Sequence, residues 1–288
     1  MMVIWAIAKT TLGDAMRKKV LQIFLVVAIG LIVLSYTFSG TLAFSTRGGG
    51  EVDLRMVKNF GLGMMWLAGL LITLVMGVSI IPTEVERRTI YTILSKPVNR
   101  YEFIIGKFIG AALTLGLNIG LMGIVFIIMV AIKAAGIQPK LPEGMNPQQM
   151  GEIAKSTVSL FDINMVYGVI LTYLQFLVLS SIVLLFSIFL TPTVNFFMGG
   201  GIYIVGLFAS LTETIARSEQ AGVYRTALYR IIHLVVPNFD KYQVTNSLVY
   251  PNPIADPGMY TIQILGYSLM YSLIMMVIAV ILFERKEV

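Results

Sequence analysis

The chain has 288 residues, of which 57% are hydrophobic and only 12% are charged, and its mean hydropathy is +0.85. Soluble domains carry about 25% charged residues, so this composition excludes an ordinary soluble protein and predicts an all-α polytopic membrane protein. The net charge of +6 does not indicate nucleic-acid binding, because the basic residues are dispersed beside apolar runs. The absence of cysteine excludes disulfides, thiol catalysis and cysteine metal sites.

An amphipathic segment at residues 1–19 predicts an interfacial helix that lies at the membrane surface before the first span. Trp5 and Met16 flank its apolar side. The apolar side is expected to contain Ile4, Ala8, Leu12 and Ala15, and the polar side Lys9, Thr10, Gly13 and Arg17. The alternative is that this segment is a plain cytoplasmic extension of the first span.

Six stretches are apolar enough to cross a bilayer, for which a helix needs about 20 residues. They are predicted at residues 20–46, 59–82, 104–132, 163–190, 194–212 and 258–283. Pro192 separates the fourth span from the fifth, because proline removes a backbone donor and disfavours helix at the preceding residue. The density of Lys and Arg predicts that both termini are cytoplasmic. Close glycines permit tight helix approach, either within the chain or in a dimer, at Gly106 and Gly110, Gly116 and Gly120, and Gly199–Gly201.

A charged segment between the second and third spans predicts a cytoplasmic helix at residues 83–95. Thr83 and Glu86 have the spacing of a capping box, and Asn99 and Glu102 repeat it at the start of the third span. Capping accounts for Glu86 and Glu102 but leaves a polar stripe unexplained. We therefore expect this helix to contact another protein through a stripe that includes Glu84, Arg87, Arg88, Tyr91, Thr92 and Ser95.

A third amphipathic helix is predicted outside the membrane at residues 224–236, between the fifth and sixth spans. It carries His233, the one histidine of the chain, which cannot form a metal site by itself. No phosphate-binding loop is present, because Gly106-Lys107 lacks the preceding loop glycine. The predicted spans carry no carboxylate, lysine or arginine in their interiors, unlike most ion-coupled transporters. If the protein moves a substrate, its energy is expected to come from another chain.

The segment from Glu84 to Lys107 resembles the signature of the ABC type-2 permease family. The matching runs are Glu84-Val85-Glu86-Arg87-Arg88-Thr89-Ile90, Leu94-Ser95-Lys96-Pro97-Val98-Asn99-Arg100, Glu102-Phe103 and Gly106-Lys107. Within the family, the chain is most similar to permeases of the nitrous-oxide-reductase maturation type. It departs from many relatives at Arg88, where they have glycine before the motif threonine.

This resemblance implies the permease subunit of an ATP-binding-cassette transporter, most of whose relatives are exporters. It implies a prokaryotic inner membrane, a second permease copy or homologue, and two separate ATPase subunits that hold ATP and magnesium; this chain is expected to be no enzyme and to hold no cofactor. The helix at 83–95 would be the coupling helix that contacts the ATPase, through Glu84, Glu86, Arg87, Arg88 and Tyr91. A second ATPase contact is implied at Lys9, Arg17 and Lys18.

Two other classes of function stay open at this point. A membrane anchor or assembly factor that transports nothing could use the same cytoplasmic helix to recruit a partner. An intramembrane enzyme is disfavoured, because the predicted spans lack paired acids and metal ligands.

Overall fold

The computed structural model describes residues 2–43, 49–80, 99–136, 161–210, 236–244, 248–249 and 256–285. Every regular element within these ranges is a helix. The α-helices are α1 (Met2–Met16), α2 (Lys19–Ala43), α3 (Gly49–Ile80), α4 (Arg100–Ala135), α5 (Ile163–Ser187), α6 (Pro192–Leu207) and α7 (Pro257–Arg285), with a 3-10 turn at Asp240–Tyr242 between the last two. The predicted all-α class is confirmed for this part of the chain.

Five of these helices, α2, α3, α4, α5 and α7, are long and apolar enough to cross a membrane. The sixth, α6, has 16 residues, and at about 1.5 Å per residue it falls short of the roughly 30 Å hydrocarbon core. The predicted fifth span, 194–212, extends beyond the described residues, which stop at Ser210 there. The chain is therefore a multi-pass membrane protein with five candidate spans, and the span at 194–212 stays a prediction.

Two predicted helices lie outside the described residues, namely the coupling helix at 83–95 and all but the last residue of the outside helix at 224–236. The first contains the predicted ATPase-coupling residues Glu84, Glu86, Arg87, Arg88 and Tyr91, and the second contains His233.

Local signals set three of the helix boundaries, and the first two of these signals were predicted. The backbone N–H of Asn99 donates to Glu102 Oε2 at 3.2 Å, which forms the expected capping box where α4 begins. Pro192 occupies the first turn of α6, where its missing N–H costs no helical hydrogen bond. Asp162 caps α5 by accepting a hydrogen bond from the Asn164 N–H at 3.0 Å.

The helix α5 lies at the centre of the bundle. Of its membrane-length stretch, 78% is buried, against 22% for α2 and 28% for α7. It packs against α3, α4, α6 and α7. The two outer helices present apolar side chains such as Val26 and Ile262 at the surface, which suits contact with lipid.

Small polar side chains inside the spans mostly form hydrogen bonds within their own helix. Each donates to a backbone carbonyl three or four residues earlier, so no other helix is needed to satisfy it. Residues of this kind are Thr73, Thr114, Asn118, Thr172, Ser180, Ser181, Ser187, Thr261 and Ser268.

Asn195 behaves differently, because it connects three helices. It is fully buried on α6, and its Nδ2 atom donates to Gly77 O of α3 at 3.2 Å and to Val183 O of α5 at 3.1 Å. Gly199, one turn further along α6, faces Val183 and Leu74 so closely that a Cβ would stand 2.8 Å and 2.9 Å from their side chains. This glycine therefore serves packing within the chain.

The bundle has two ends, which we call the α1 end and the distal end. The α1 end holds the start of α4 and the end of α7, and the distal end holds the C-termini of α2 and α4 and the N-termini of α3 and α5. Two ion pairs tie the distal end together. Lys58 Nζ of α3 lies 2.6 Å from Asp162 Oδ2, and Lys133 Nζ of α4 lies 3.4 Å from Asp53 Oδ2.

Candidate functional site at the α1 end

The helix α1 carries the three basic residues that were expected to form a second ATPase contact. Lys9 and Arg17 are exposed, and Lys18, in the turn between α1 and α2, is half-buried. Thr10 is also exposed, as expected for the polar side. These positions are compatible with a contact surface, but they do not test the predicted contact.

The buried side of α1 differs from the predicted one. Ala8 and Ala15 are buried as expected, but Thr11 is 4% exposed, whereas Leu12 and Ile4 are only half-buried. The hydroxyl of Thr11 donates to Ile7 O at 2.8 Å, which satisfies it inside its own helix. A threonine can therefore replace leucine in the contact, because its polar atom is paired and its small size allows close approach.

Two glycines of α4 allow α1 to approach closely. A Cβ at Gly106 would stand 2.8 Å from Ile7 Cβ and 3.0 Å from Ile4 O, and one at Gly110 would stand 2.6 Å from Thr11 Cβ and 2.9 Å from Ala8 O. Both contacts advance by four residues along each helix, so α1 and α4 run side by side in the same direction here. Of the two expected uses of this glycine pair, packing within the chain is the one observed.

Arg100, the first residue of α4, holds the end of α7. Its Nη1 atom donates to Glu284 O at 3.1 Å and to Phe283 O at 3.5 Å. The last carbonyls of a helix have no partner within the helix and carry a partial negative charge. A guanidinium is therefore well suited to this position, and the arginine of the family signature acts here as a link between two helices.

Phe103 and Lys107 extend the same contact one and two turns into α4. The rings of Phe103 and Phe283 stack with centroids 5.9 Å apart, and both side chains are almost fully buried. Lys107 Nζ lies 5.5 Å from the centre of the Phe103 ring, a favourable cation–π distance. Lys107 is only 4% exposed. Lys107 lies near the start of the predicted third span, 104–132, and the aromatic face of Phe103 partly compensates its buried charge.

The described residues of the family signature thus form one junction, which we call the α1–α4–α7 junction. Arg100 and Phe103 join α4 to α7, and Gly106 joins α4 to α1. Among the described residues, no group of three or more His, Cys, Asp or Glu is placed to hold a metal. The first two turns of α4 thus contact both α7 and α1, so a displacement at the start of α4 would be passed on to both helices.

Comparison with known proteins identifies the family of the chain. A family model described as "ABC-2 family transporter protein" matches residues 5–288. The chain is also similar to the "Probable ABC transporter permease protein NosY" of Stutzerimonas stutzeri, with 29% identity over 120 residues. That match covers 40% of this chain and 41% of the relative, so the chain spans about two fifths of the length of the relative it matches. Because the family model covers nearly all of the sequence, the chain belongs to the ABC-2 family of transporter proteins.

Proposed function

We propose that this chain is the permease subunit of an ATP-binding-cassette exporter. In this proposal, two separate cytoplasmic ATPase subunits hold ATP and magnesium, and a second permease copy or homologue completes the membrane unit. Family membership and the five candidate spans support a transmembrane component of such a transporter. The similar protein of Stutzerimonas stutzeri, a probable ABC transporter permease, agrees with it.

The proposal places the chain in the inner membrane of a prokaryote, with six spans and cytoplasmic termini. The α1 end is then the cytoplasmic end. The exposed cations Lys9 and Arg17 support this orientation, because basic residues beside a span favour the cytoplasmic side.

The observation that carries the proposal is the α1–α4–α7 junction. The predicted coupling helix, 83–95, is followed a few residues later by Arg100, which is bonded to the end of α7, and by Gly106, which is packed on α1. A force applied to the coupling helix would therefore reach α4 and its two neighbours together. Such a connection suits a subunit that converts closure of an ATPase into movement of its spans.

The test is reconstitution of the chain with an ABC ATPase subunit that binds it, using Arg87→Glu combined with Arg88→Glu. A charged contact buried in a groove costs about 2–5 kcal/mol when one partner is removed, so binding should weaken by roughly 30-fold or more. The control is Lys241→Glu, an exposed cation near the distal end of the bundle. We expect the control to keep ATPase binding and stimulation.

Three results would contradict the proposal. The first is full ATPase stimulation by the double charge reversal, which would move the contact away from residues 83–95. The second is saturable ATP binding by the purified chain alone. The third is an ATPase that binds the chain but keeps the same activity with or without it, the behaviour expected of a membrane anchor.

A further inference from the structure

A cavity of about 240 Å³ lies between α3, α5 and residues 242–244 and 248. Its walls come from one face of α3, with residues spaced by three or four, from one face of α5, and from the end of the 3-10 turn. Its polar and aromatic lining residues are Asn59, Trp66, Thr172, Gln175, Tyr242 and Gln243. None of the described lining residues is charged, although the chain is basic overall.

The polar walls of this cavity are held in place by hydrogen bonds. Trp66 Nε1 donates to the hydroxyl of Tyr203, which also accepts from Gln175 Nε2 at 2.7 Å. The hydroxyl of Tyr242 lies 2.7 Å from Ser268 Oγ. Side chains fixed in this way form a preorganised surface.

The cavity lies within the membrane-spanning part of the bundle, in its distal half. Both α3 residues fall inside the apolar stretch Val52–Val78, where Asn59 lies in the distal half and Trp66 near the midpoint. The ion pair of Lys58 and Asp162 joins the same two helices just beyond the cavity, towards the distal end. The two charges satisfy each other at 2.6 Å and do not line the cavity.

Gly63 marks an accessible wall of the cavity. It is exposed, and a Cβ at this position would meet no atom within 4 Å. A larger side chain can therefore be placed here without a clash, which provides a way to fill the cavity while keeping α3 in place.

From this lining we propose that the cavity binds an uncharged, hydroxyl-rich ring the size of a single sugar, either free or as the headgroup of a lipid. Amide and hydroxyl side chains offer both donors and acceptors to such a ring, and the indole of Trp66 offers it a flat apolar face. A charged ligand would lose its hydration with no opposite charge among the described lining residues. The volume is below the roughly 300–1,000 Å³ of pockets for drug-sized molecules, so one ring fills it.

The position of Trp66 allows a binding test without a label. The chain has two tryptophans, and Trp5 lies exposed on α1. In a Trp5→Phe background, the fluorescence of the full chain in phosphatidylcholine nanodiscs therefore reports on Trp66. Methyl glucoside, glucosamine and glucuronate share one ring and differ in charge. We expect methyl glucoside to protect Trp66 from acrylamide quenching saturably, and the two charged sugars to bind at least about 10-fold more weakly.

Variants separate this cavity from other sugar contacts. Gly63→Leu should abolish the protection, whereas Gly30→Leu should keep it, because Gly30 is also exposed with no atom within 4 Å but lies on α2. Gln243→Leu, at an exposed lining residue, should weaken binding without filling the cavity.

A second arm uses nanodiscs that contain glucosyl diacylglycerol. Protection by this lipid at a lower sugar concentration than methyl glucoside identifies a lipid headgroup as the source, and equal protection identifies the free sugar.

The inference is overturned if neither sugar source protects Trp66, if the three charge types act equally, or if Gly63→Leu leaves the protection intact. The first of these results is the one expected of a cavity that holds water only. Binding is measured on the chain without any ATPase, so its failure leaves the proposed permease function untouched. A failure of ATPase coupling would likewise leave the sugar response unchanged.

Discussion

The contact between α1 and α4 predicts a measurable cost for one added methyl group at each of Gly106 and Gly110. The new Cβ atoms would stand 2.6–3.0 Å from atoms of α1, two of which are the backbone oxygens of Ile4 and Ala8, whereas carbon atoms prefer about 3.5–4.0 Å. Overpacking of this kind costs about 1–3 kcal/mol per site. The better helix propensity of alanine does not compensate, because α4 is helical whether or not α1 is docked. Gly106→Ala with Gly110→Ala should therefore weaken docking by at least about 2 kcal/mol, or roughly 30-fold.

The assay uses a chain without native cysteine, so one introduced thiol gives a single label. Thr11→Cys places the thiol in the contact, where the native side chain is 4% exposed. Its maleimide labelling depends on transient opening, so the rate should rise by about 30-fold in the double-alanine chain. Thr10→Cys is the matched control, because Thr10 is exposed and should label at one rate in both backgrounds.

A second control tests whether glycine replacement alone matters. Gly120 lies on the same helix, and a Cβ there would meet no atom within 4 Å, so Gly120→Ala should leave labelling at position 11 unchanged. An unchanged rate at position 11 in the double-alanine chain would refute the argument. It would mean that α1 is held by contacts other than these two glycines.

Two further predictions concern charged links between helices. Arg100→Ala leaves the carbonyls of Phe283 and Glu284 without the guanidinium, which should cost about 1–3 kcal/mol of stability and lower the thermal midpoint of unfolding in detergent. Arg100→Lys should recover part of the loss. Equal midpoints for the native chain and both variants would show that the Arg100 contact does not stabilise the junction. For the ion pair at the distal end, a double-mutant cycle of Lys58→Met and Asp162→Asn should give a coupling of about 1 kcal/mol or more, because the two side chains are only 11% and 19% exposed. Asparagine still caps α5, so a coupling near zero would show that the pair adds nothing beyond the cap.

Features set by nearby residues could be predicted from the sequence. The capping box of Asn99 and Glu102 and the break at Pro192 depend on a few consecutive residues, and both are observed. The buried side of α1 was predicted only in part, because the glycines that face it lie on α4, where they make Thr11 a better contact than Leu12.

Features built from distant residues could not be predicted in the same way. Arg100 and Glu284 are 184 positions apart, so nothing in the local pattern joined the signature arginine to the last helix. The buried position of Lys107 depends in part on its aromatic neighbour Phe103, one turn earlier, and on the helices around it. The cavity combines residues from three separate segments. The coupling residues 84–91 lie outside the described residues, so the interpretation of that helix stays a prediction.

The small polar residues form hydrogen bonds within their own helices, and this affects how the spans can move. Because Thr114, Asn118 and Thr172 bond to their own helices, α4 and α5 can slide or rotate without breaking these hydrogen bonds. A small shift along these surfaces exchanges mainly dispersion contacts, which reform afterwards. One hydrogen bond between the two helices, from the Tyr173 hydroxyl to Ala112 O at 3.4 Å, would have to be exchanged as well. Asn195 acts in the opposite way, because its hydrogen bonds hold α6 to both α3 and α5. The bundle therefore combines helix surfaces that can shift against each other with one point where three helices are hydrogen-bonded together. We expect its helices to move relative to one another around Asn195.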